Sequence, residues 1–74
     1  MILQPKTYIT INNDQIYLVI STKLINKKWY AYLINKNNNL EFMFCTEKLE
    51  NHQLIIEPIT NKNLIGFLAN EFQN

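Results

Sequence analysis

Apolar and polar residues alternate with a period of two over the first two thirds of the chain, which is the pattern of half-buried β-strands. Clusters of polar, turn-forming residues interrupt this alternation at residues 12–15, 25–28, 35–39 and 48–53. The pattern predicts five short strands joined as an antiparallel meander. We place these strands at residues 7–12, 15–25, 28–36, 39–46 and 53–57.

The periodicity changes after residue 58. From there the apolar residues recur at helical spacing, and they are Leu64, Ile65, Leu68 and Phe72. Because either Thr60 or Asn61 can cap the N-terminus, we predict a closing helix over residues 61–72. Residues 1–74 are therefore expected to form a single α+β domain, a five-stranded antiparallel β-meander with one C-terminal α-helix packed on one face.

Strand pairing assigns the side chains of the meander to two faces. Two-residue turns at 13–14, 26–27 and 37–38 would place one apolar set together: Ile9, Ile11, Ile16, Leu18, Ile20, Leu24, Trp29, Ala31, Leu33, Phe42 and Phe44. The other face would carry all four tyrosines, with Val19, Ile34, Met43 and Cys45. Since one amphipathic helix covers only one side of a sheet, we expect it on the Trp29, Phe42 and Phe44 side.

Composition narrows the classes of function. The chain has 74 residues, 47% of them hydrophobic and 18% charged, which is typical of one small globular domain. Its formal net charge is +1, and all seven basic residues are lysines, so it has no arginine to read phosphate or guanine in a bidentate manner. The longest apolar run, residues 16–20, is too short to span a membrane. A lone cysteine and no evident secretory signal favour the cytoplasm.

Candidate catalytic and ligand-binding groups are few. His52 lies in a predicted turn, and Cys45 lies on a predicted strand as a small, partly buried side chain. No ligand spacing typical of zinc sites occurs, and Gly66 is the only glycine, so no glycine-rich phosphate loop can form. We therefore expect no catalytic residues, no metal site and no cofactor.

The predicted tyrosine face is the main candidate for function, because tyrosine and methionine are enriched at protein interfaces. Its proposed binding residues are Tyr8, Tyr17, Val19, Tyr30, Tyr32, Ile34 and Met43. They indicate a small regulatory or protein-binding module that uses this face or a sheet edge, with an inhibitor encoded by a phage or mobile element as one form of it.

Three alternatives stay open for this face. They are a merely solvated sheet surface, a homodimer interface and a binding surface for single-stranded nucleic acid. In the last case Tyr30 and Tyr32 would stack on bases beside Lys23 and Lys28, although the near-neutral charge provides little electrostatic attraction.

Three segments together carry a resemblance to a known family: ITINNDQIYLVI, KKWYAYLINKNNNLEFMF and LIIEPITNKNLIGFLANEF. Their order is similar to that of the small YrzB-like proteins of Firmicutes, in which a strand-rich body leads into a closing helix. The resemblance covers about Tyr8 to Phe72 and includes the helix entry at residues 57–60. It implies the same order of elements and carries no activity, cofactor or catalytic residue.

Overall fold

The computed structural model describes residues 3–11 and 14–73. Its strands are β1 (Tyr8–Ile11), β2 (Gln15–Ile25), β3 (Lys28–Asn35), β4 (Asn38–Glu50) and β5 (Gln53–Pro58), and its helix is α1 (Lys62–Glu71). The strands form one sheet in chain order, and each is antiparallel to its neighbours. The predicted α+β fold class, a five-stranded meander followed by a C-terminal helix, is confirmed.

Two of the hairpin turns depend on residues in the left-handed region. Asn26 and Lys27 have φ values of 50° and 67°, and Asn51 and His52 have φ values of 52° and 66°. Positive φ at both central residues is what type I′ turns require, and these turns match the right-handed twist of the flanking strands. The predicted turn at 26–27 is confirmed. Residue 13 of the predicted turn at 13–14 lies outside the described residues.

The register of the β2–β3 hairpin agrees with the sequence next to its turn. Leu24 lies opposite Trp29, and Thr22 lies opposite Ala31, as the two-residue turn at 26–27 predicts. Farther along the same hairpin, β2 contains a bulge at Ile20. A bulge adds one unpaired residue and reverses the alternation beyond it.

The bulge and a shift in β4 overturn both predicted pairings of Leu33. Leu33 lies opposite Val19 and Met43, whereas an uninterrupted alternation pairs it with Ile20 and Phe42. A shift of one residue moves every side chain of a strand segment to the other face of the sheet. Val19 and Met43 therefore share the face of Leu33, and Phe42 lies on the other face.

The β1–β2 pairing is also shifted by one residue from the prediction. Ile9 lies opposite Tyr17, where the predicted partner is Leu18, and Tyr8 takes the place opposite Leu18. Tyr17 and Tyr8 consequently project from opposite faces of the sheet, because neighbours along a strand alternate.

Helix α1 packs on the face that carries Tyr30, Tyr32 and Phe44, which we call the helix face. Tyr30, Phe44 and Leu68 are buried there. The prediction is correct for Phe42 and Phe44, which lie on this face, and wrong for Trp29, which alternates with Tyr30 and so belongs to the opposite face. It is also wrong for Tyr30 and Tyr32, which were predicted on the face without the helix. The opposite face holds a second buried cluster: Leu3, Ile11, Tyr17, Val19, Ala31, Leu33 and Cys45.

The observed burial of several residues differs from the prediction, because these residues lie on other faces than predicted or are exposed. Ile20, Leu24 and Phe42, which the alternation assigns to the core, are exposed, whereas Tyr17 and Val19 are buried. For Tyr17, Val19, Ile20 and Phe42 the physical reason is the change of register in β1–β2, in β3–β4 and at the bulge of β2. Leu24 keeps its predicted partner Trp29 and is exposed next to the β2–β3 turn.

Both ends of α1 are satisfied by side chains. The Leu64 N–H donates to Asn61 Oδ1 over 3.0 Å, which makes Asn61 the N-cap. At the other end Lys23 Nζ donates to the Glu71 carbonyl oxygen over 2.9 Å, where a cation complements the helix dipole. A Cβ added at Gly66 would meet no atom within 4 Å, so close packing does not require this glycine.

Candidate functional site

The seven predicted binding residues do not lie on one surface. Tyr17, Val19 and Met43 belong to the opposite face, where Val19 is fully buried and Tyr17 retains 5% of its exposure. The Tyr17 hydroxyl reaches Glu41 Oε1 at 3.5 Å. Tyr17 and Val19 are therefore core residues that are not accessible to a partner, and Met43 packs against the same core with part of its surface exposed.

The remaining four residues lie on the helix face, at different distances from α1. Tyr30 is buried beneath the helix, and Tyr32 packs beside it with part of its surface exposed. Ile34 is partly buried, and Tyr8 is 60% exposed. The structure thus keeps Tyr8, Tyr32 and Ile34 together on one accessible side.

A line of four apolar side chains crosses the helix face beside α1. Tyr8 lies opposite Leu18, Leu18 opposite Ile34, and Ile34 opposite Phe42. Residues directly opposite one another project from the same face, so the four form one row across β1 to β4, which we call the apolar row. None of the four belongs to the cluster that packs against α1, and Phe42 is 51% exposed.

An aromatic groove adjoins the apolar row on the side of α1. Its volume is about 220 Å³, and it is lined by Tyr32, Phe42, Phe44, Ala69, Phe72 and Gln73. The ring centroids of Phe44 lie 5.2 Å from Tyr32 and 5.5 Å from Phe72, and those of Tyr32 and Phe42 are 6.0 Å apart. Since drug-sized ligands occupy about 300–1,000 Å³, this groove suits one or two apolar side chains.

The charge near the apolar row is concentrated at its Tyr8 end. Lys36 Nζ lies 5.6 Å from the centroid of the Tyr8 ring, within cation–π range, and Lys36 is exposed. Lys23 has a different role, because its ammonium contacts both the carbonyl and the carboxylate of Glu71. Lys36 is thus a cation that an acidic group bound over the Tyr8 end of the row would meet.

The four residues predicted for nucleic-acid stacking do not converge. Tyr30 is buried under α1, and the ammonium of Lys23 is engaged by Glu71. Lys28 lines a separate polar depression away from the aromatic groove. Only Tyr32 of this set contributes to the groove, so no observation here favours binding of single-stranded nucleic acid.

Cys45 is fully buried on the opposite face. Burial raises the pKa of its thiol to about 12, and the nearby Glu47 carboxylate adds to the effect. His52 lies in the exposed β4–β5 turn. Among residues 3–11 and 14–73, no group of three or more His, Cys, Asp or Glu side chains is placed to hold a metal ion.

We expect Cys45 in the native protein to react with a thiol reagent at pH 8 at least about a hundredfold more slowly than in urea, because a raised pKa suppresses the thiolate and burial blocks access. The rate of modification in buffer and in denaturant measures this directly. Similar rates in the two conditions would contradict the buried position of the thiol.

No family model matches this sequence, and no curated protein or solved structure is significantly similar to it. The resemblance to the YrzB-like proteins therefore stays a prediction. No helix within the described ranges is long and apolar enough to cross a bilayer. The functional interpretation accordingly depends on the chemistry of the surface itself.

Two residues of the apolar row escape the sequence-based assignment. Leu18 and Phe42 are assigned to the covered core, because unbroken alternation places them with Leu33. Register shifts place Leu18 and Phe42 on the other face from Leu33. The local sequence has no marker for these shifts, such as a glycine at the bulge. Phe72, predicted as the last residue of the helix, is instead its C-cap, one residue beyond the end of α1 at Glu71, and its contact with the groove depends on where α1 ends.

Proposed function

We propose that this protein is a small non-enzymatic protein-binding module whose partner contacts the apolar row and the aromatic groove. The observation that carries this proposal is the row of Tyr8, Leu18, Ile34 and Phe42, aligned across four strands and not covered by α1. It revises the predicted tyrosine face, of which Tyr8, Ile34 and Tyr32 remain.

Two physical arguments support a protein as the ligand. Contiguous apolar patches with a polar surround typically mark interaction sites, since burial contributes about 25 cal/mol per Å² of apolar surface. Aromatic side chains in a shallow groove are also typical of interface anchors, and the groove is too small to enclose a drug-sized molecule.

We expect Phe42→Ser to reduce partner recovery strongly, by about 30-fold or more in affinity, because Phe42 belongs to both the row and the groove. Tagged wild-type and variant chains are used to capture proteins from cells that produce the protein. Bound proteins are then quantified by mass spectrometry, and the affinity of the purified partner is measured by titration.

Phe67→Ser is the matched control. Phe67 is a phenylalanine of similar exposure, 46%, but it lies on α1 and lines neither the row nor the groove. It should leave partner recovery unchanged, and both variants should retain the far-ultraviolet circular dichroism of the parent. If the same partner is recovered equally with Phe42→Ser, the proposed surface is wrong.

A further inference from the structure

We propose that the partner contacts the apolar row through an amphipathic α-helix that lies beside α1 and places an acidic side chain near Lys36. This inference rests on the proposed function, and it names the kind of element that the surface accepts. The position of α1, the spacing of the row and the location of the cation support it independently.

Helix α1 covers only part of the helix face. The chain leaves the side of β4 for α1 at Ile59, whose N–H donates to the Phe44 carbonyl oxygen over 2.8 Å. The C-terminal end of α1 contacts β2 through Lys23 and Glu71, and it contacts β4 through the rings of Phe72 and Phe44. A helix covers a strip of about 10–12 Å. β2 has 11 residues and β4 has 13, and at about 3.3 Å per residue they extend well beyond that strip.

The apolar row lies close enough to α1 for a second helix to contact both, with the axis of the second helix about 1–3 Å beyond Phe42 on the side away from Phe44. Phe44 is buried under α1, and Phe42 is two residues farther along the same strand, or about 7 Å away. Packed helices have interaxial distances of about 8–10 Å. Ala69 lines the intervening groove, and its small side chain permits a close approach.

The spacing of the row also matches a helix. Adjacent strands are about 4.8 Å apart, so the four side chains extend over about 14 Å. An α-helix advances 5.4 Å per turn, so apolar residues at i, i+3 or i+4, i+7 and i+11 would contact successive members of the row.

An extended peptide suits the apolar row less well, because strand addition follows an edge, such as the outer edge of β1 or β5, whereas the row runs across the strands. On the β5 side of β4, pairing with β5 extends only as far as Cys45 opposite Pro58. The part of β4 that β5 leaves unpaired is irregular between Asn38 and Phe42, because the β3–β4 register shifts there between Ile34 and Asn35. The Leu40 N–H there is taken by Asn38 Oδ1 at 3.2 Å. Bulges and capped donors of this kind protect edges from strand addition.

Lys36 defines the direction of the bound helix. It is exposed and lies over Tyr8, at the end of the row remote from Phe42. An aspartate or glutamate of the partner helix above Tyr8 would pair with this ammonium. A basic residue at the same point would be repelled.

The first test is selection of random 16-residue peptides on the purified full chain. Enriched peptides should show apolar residues with a period of 3.6 and an acidic residue toward one end, and they should gain helical circular dichroism on binding. Phe42→Ser should weaken their binding by about 30-fold or more, and Phe67→Ser should not.

A charge exchange tests the orientation. Lys36→Glu should weaken the selected peptide by about two- to fivefold, and replacing the acidic residue of the peptide with lysine should restore the lost affinity. Lys27→Glu is the control, since Lys27 is an exposed lysine in the β2–β3 turn. No rescue by the exchanged peptide would overturn the assigned orientation.

Four outcomes would overturn the helix proposal as a whole. These are enriched peptides with a period of two, enriched peptides insensitive to Phe42→Ser, no enrichment, and a dimer of this chain that Phe42→Ser dissociates in sedimentation experiments. If a cellular protein is still captured in a Phe42-dependent manner, only the helix is excluded and the proposed function stands. If that capture also fails, both are excluded.

Discussion

Replacing Phe44 with alanine is expected to lower the free energy of unfolding by about 3–5 kcal/mol. Phe44 is 3% exposed and packs against the rings of Tyr32 and Phe72 beneath α1. A small domain has a total stability of about 5–15 kcal/mol, so a large share would be lost. Urea unfolding followed by circular dichroism measures the change.

Phe42→Ala is the control for this experiment. Phe42 lies on the same strand and the same face, and its ring is 5.8 Å from that of Phe44, but it is half exposed. We expect a loss of about 1 kcal/mol or less, because about half of the Phe42 side chain is exposed to solvent already. Equal losses in the two variants would mean that α1 does not cover Phe44 selectively.

The second large effect is expected at Val19. Val19→Asn should destabilise the protein by about 3–5 kcal/mol, since it removes a fully buried apolar side chain and inserts an amide without hydrogen-bond partners. The free energy of unfolding is obtained from denaturant titration, with thermal unfolding as a second measurement.

Ile20→Asn is the matched comparison, because Ile20 is the next residue and is 38% exposed at the bulge. It should cost about 1 kcal/mol. The uninterrupted alternation of the sequence predicts the reverse order, with Ile20 in the core. A larger loss for Ile20→Asn than for Val19→Asn would therefore show that β2 is not bulged.

The β2–β3 and β3–β4 hairpins show why the strand register was only partly predictable from the sequence. Asn26 and Lys27 form a two-residue turn, and this determines the pairing of Leu24 with Trp29. In the β3–β4 hairpin, residue 35 pairs with residue 38, but the next pair toward the strand interior is Ile34 with Phe42. Residues 39–41 of β4 lie between these two pairs without a partner of their own in β3, and they shift the register. The pattern of apolar and polar residues in the sequence does not mark this shift.

The candidate surface was predicted in part for the same reason. Tyr8, Tyr32 and Ile34 were assigned to an uncovered face, whereas the structure places them on the face that carries α1, where each is at least partly accessible. Tyr17 and Val19 were assigned to that face as well, and they are buried because the register differs by one residue at their positions. A shift this small reverses a face and hence the interpretation of every residue on it.

The sequence by itself determined the number, order and type of the elements, because periodicity, turn residues and helix caps act over a few neighbouring positions. It also determined that one helix is present for a sheet with two apolar faces. Only the tertiary structure decided which face α1 covers and which apolar residues remain beside it. Both depend on bulges and cross-strand register, which arise from packing between strands distant in the chain.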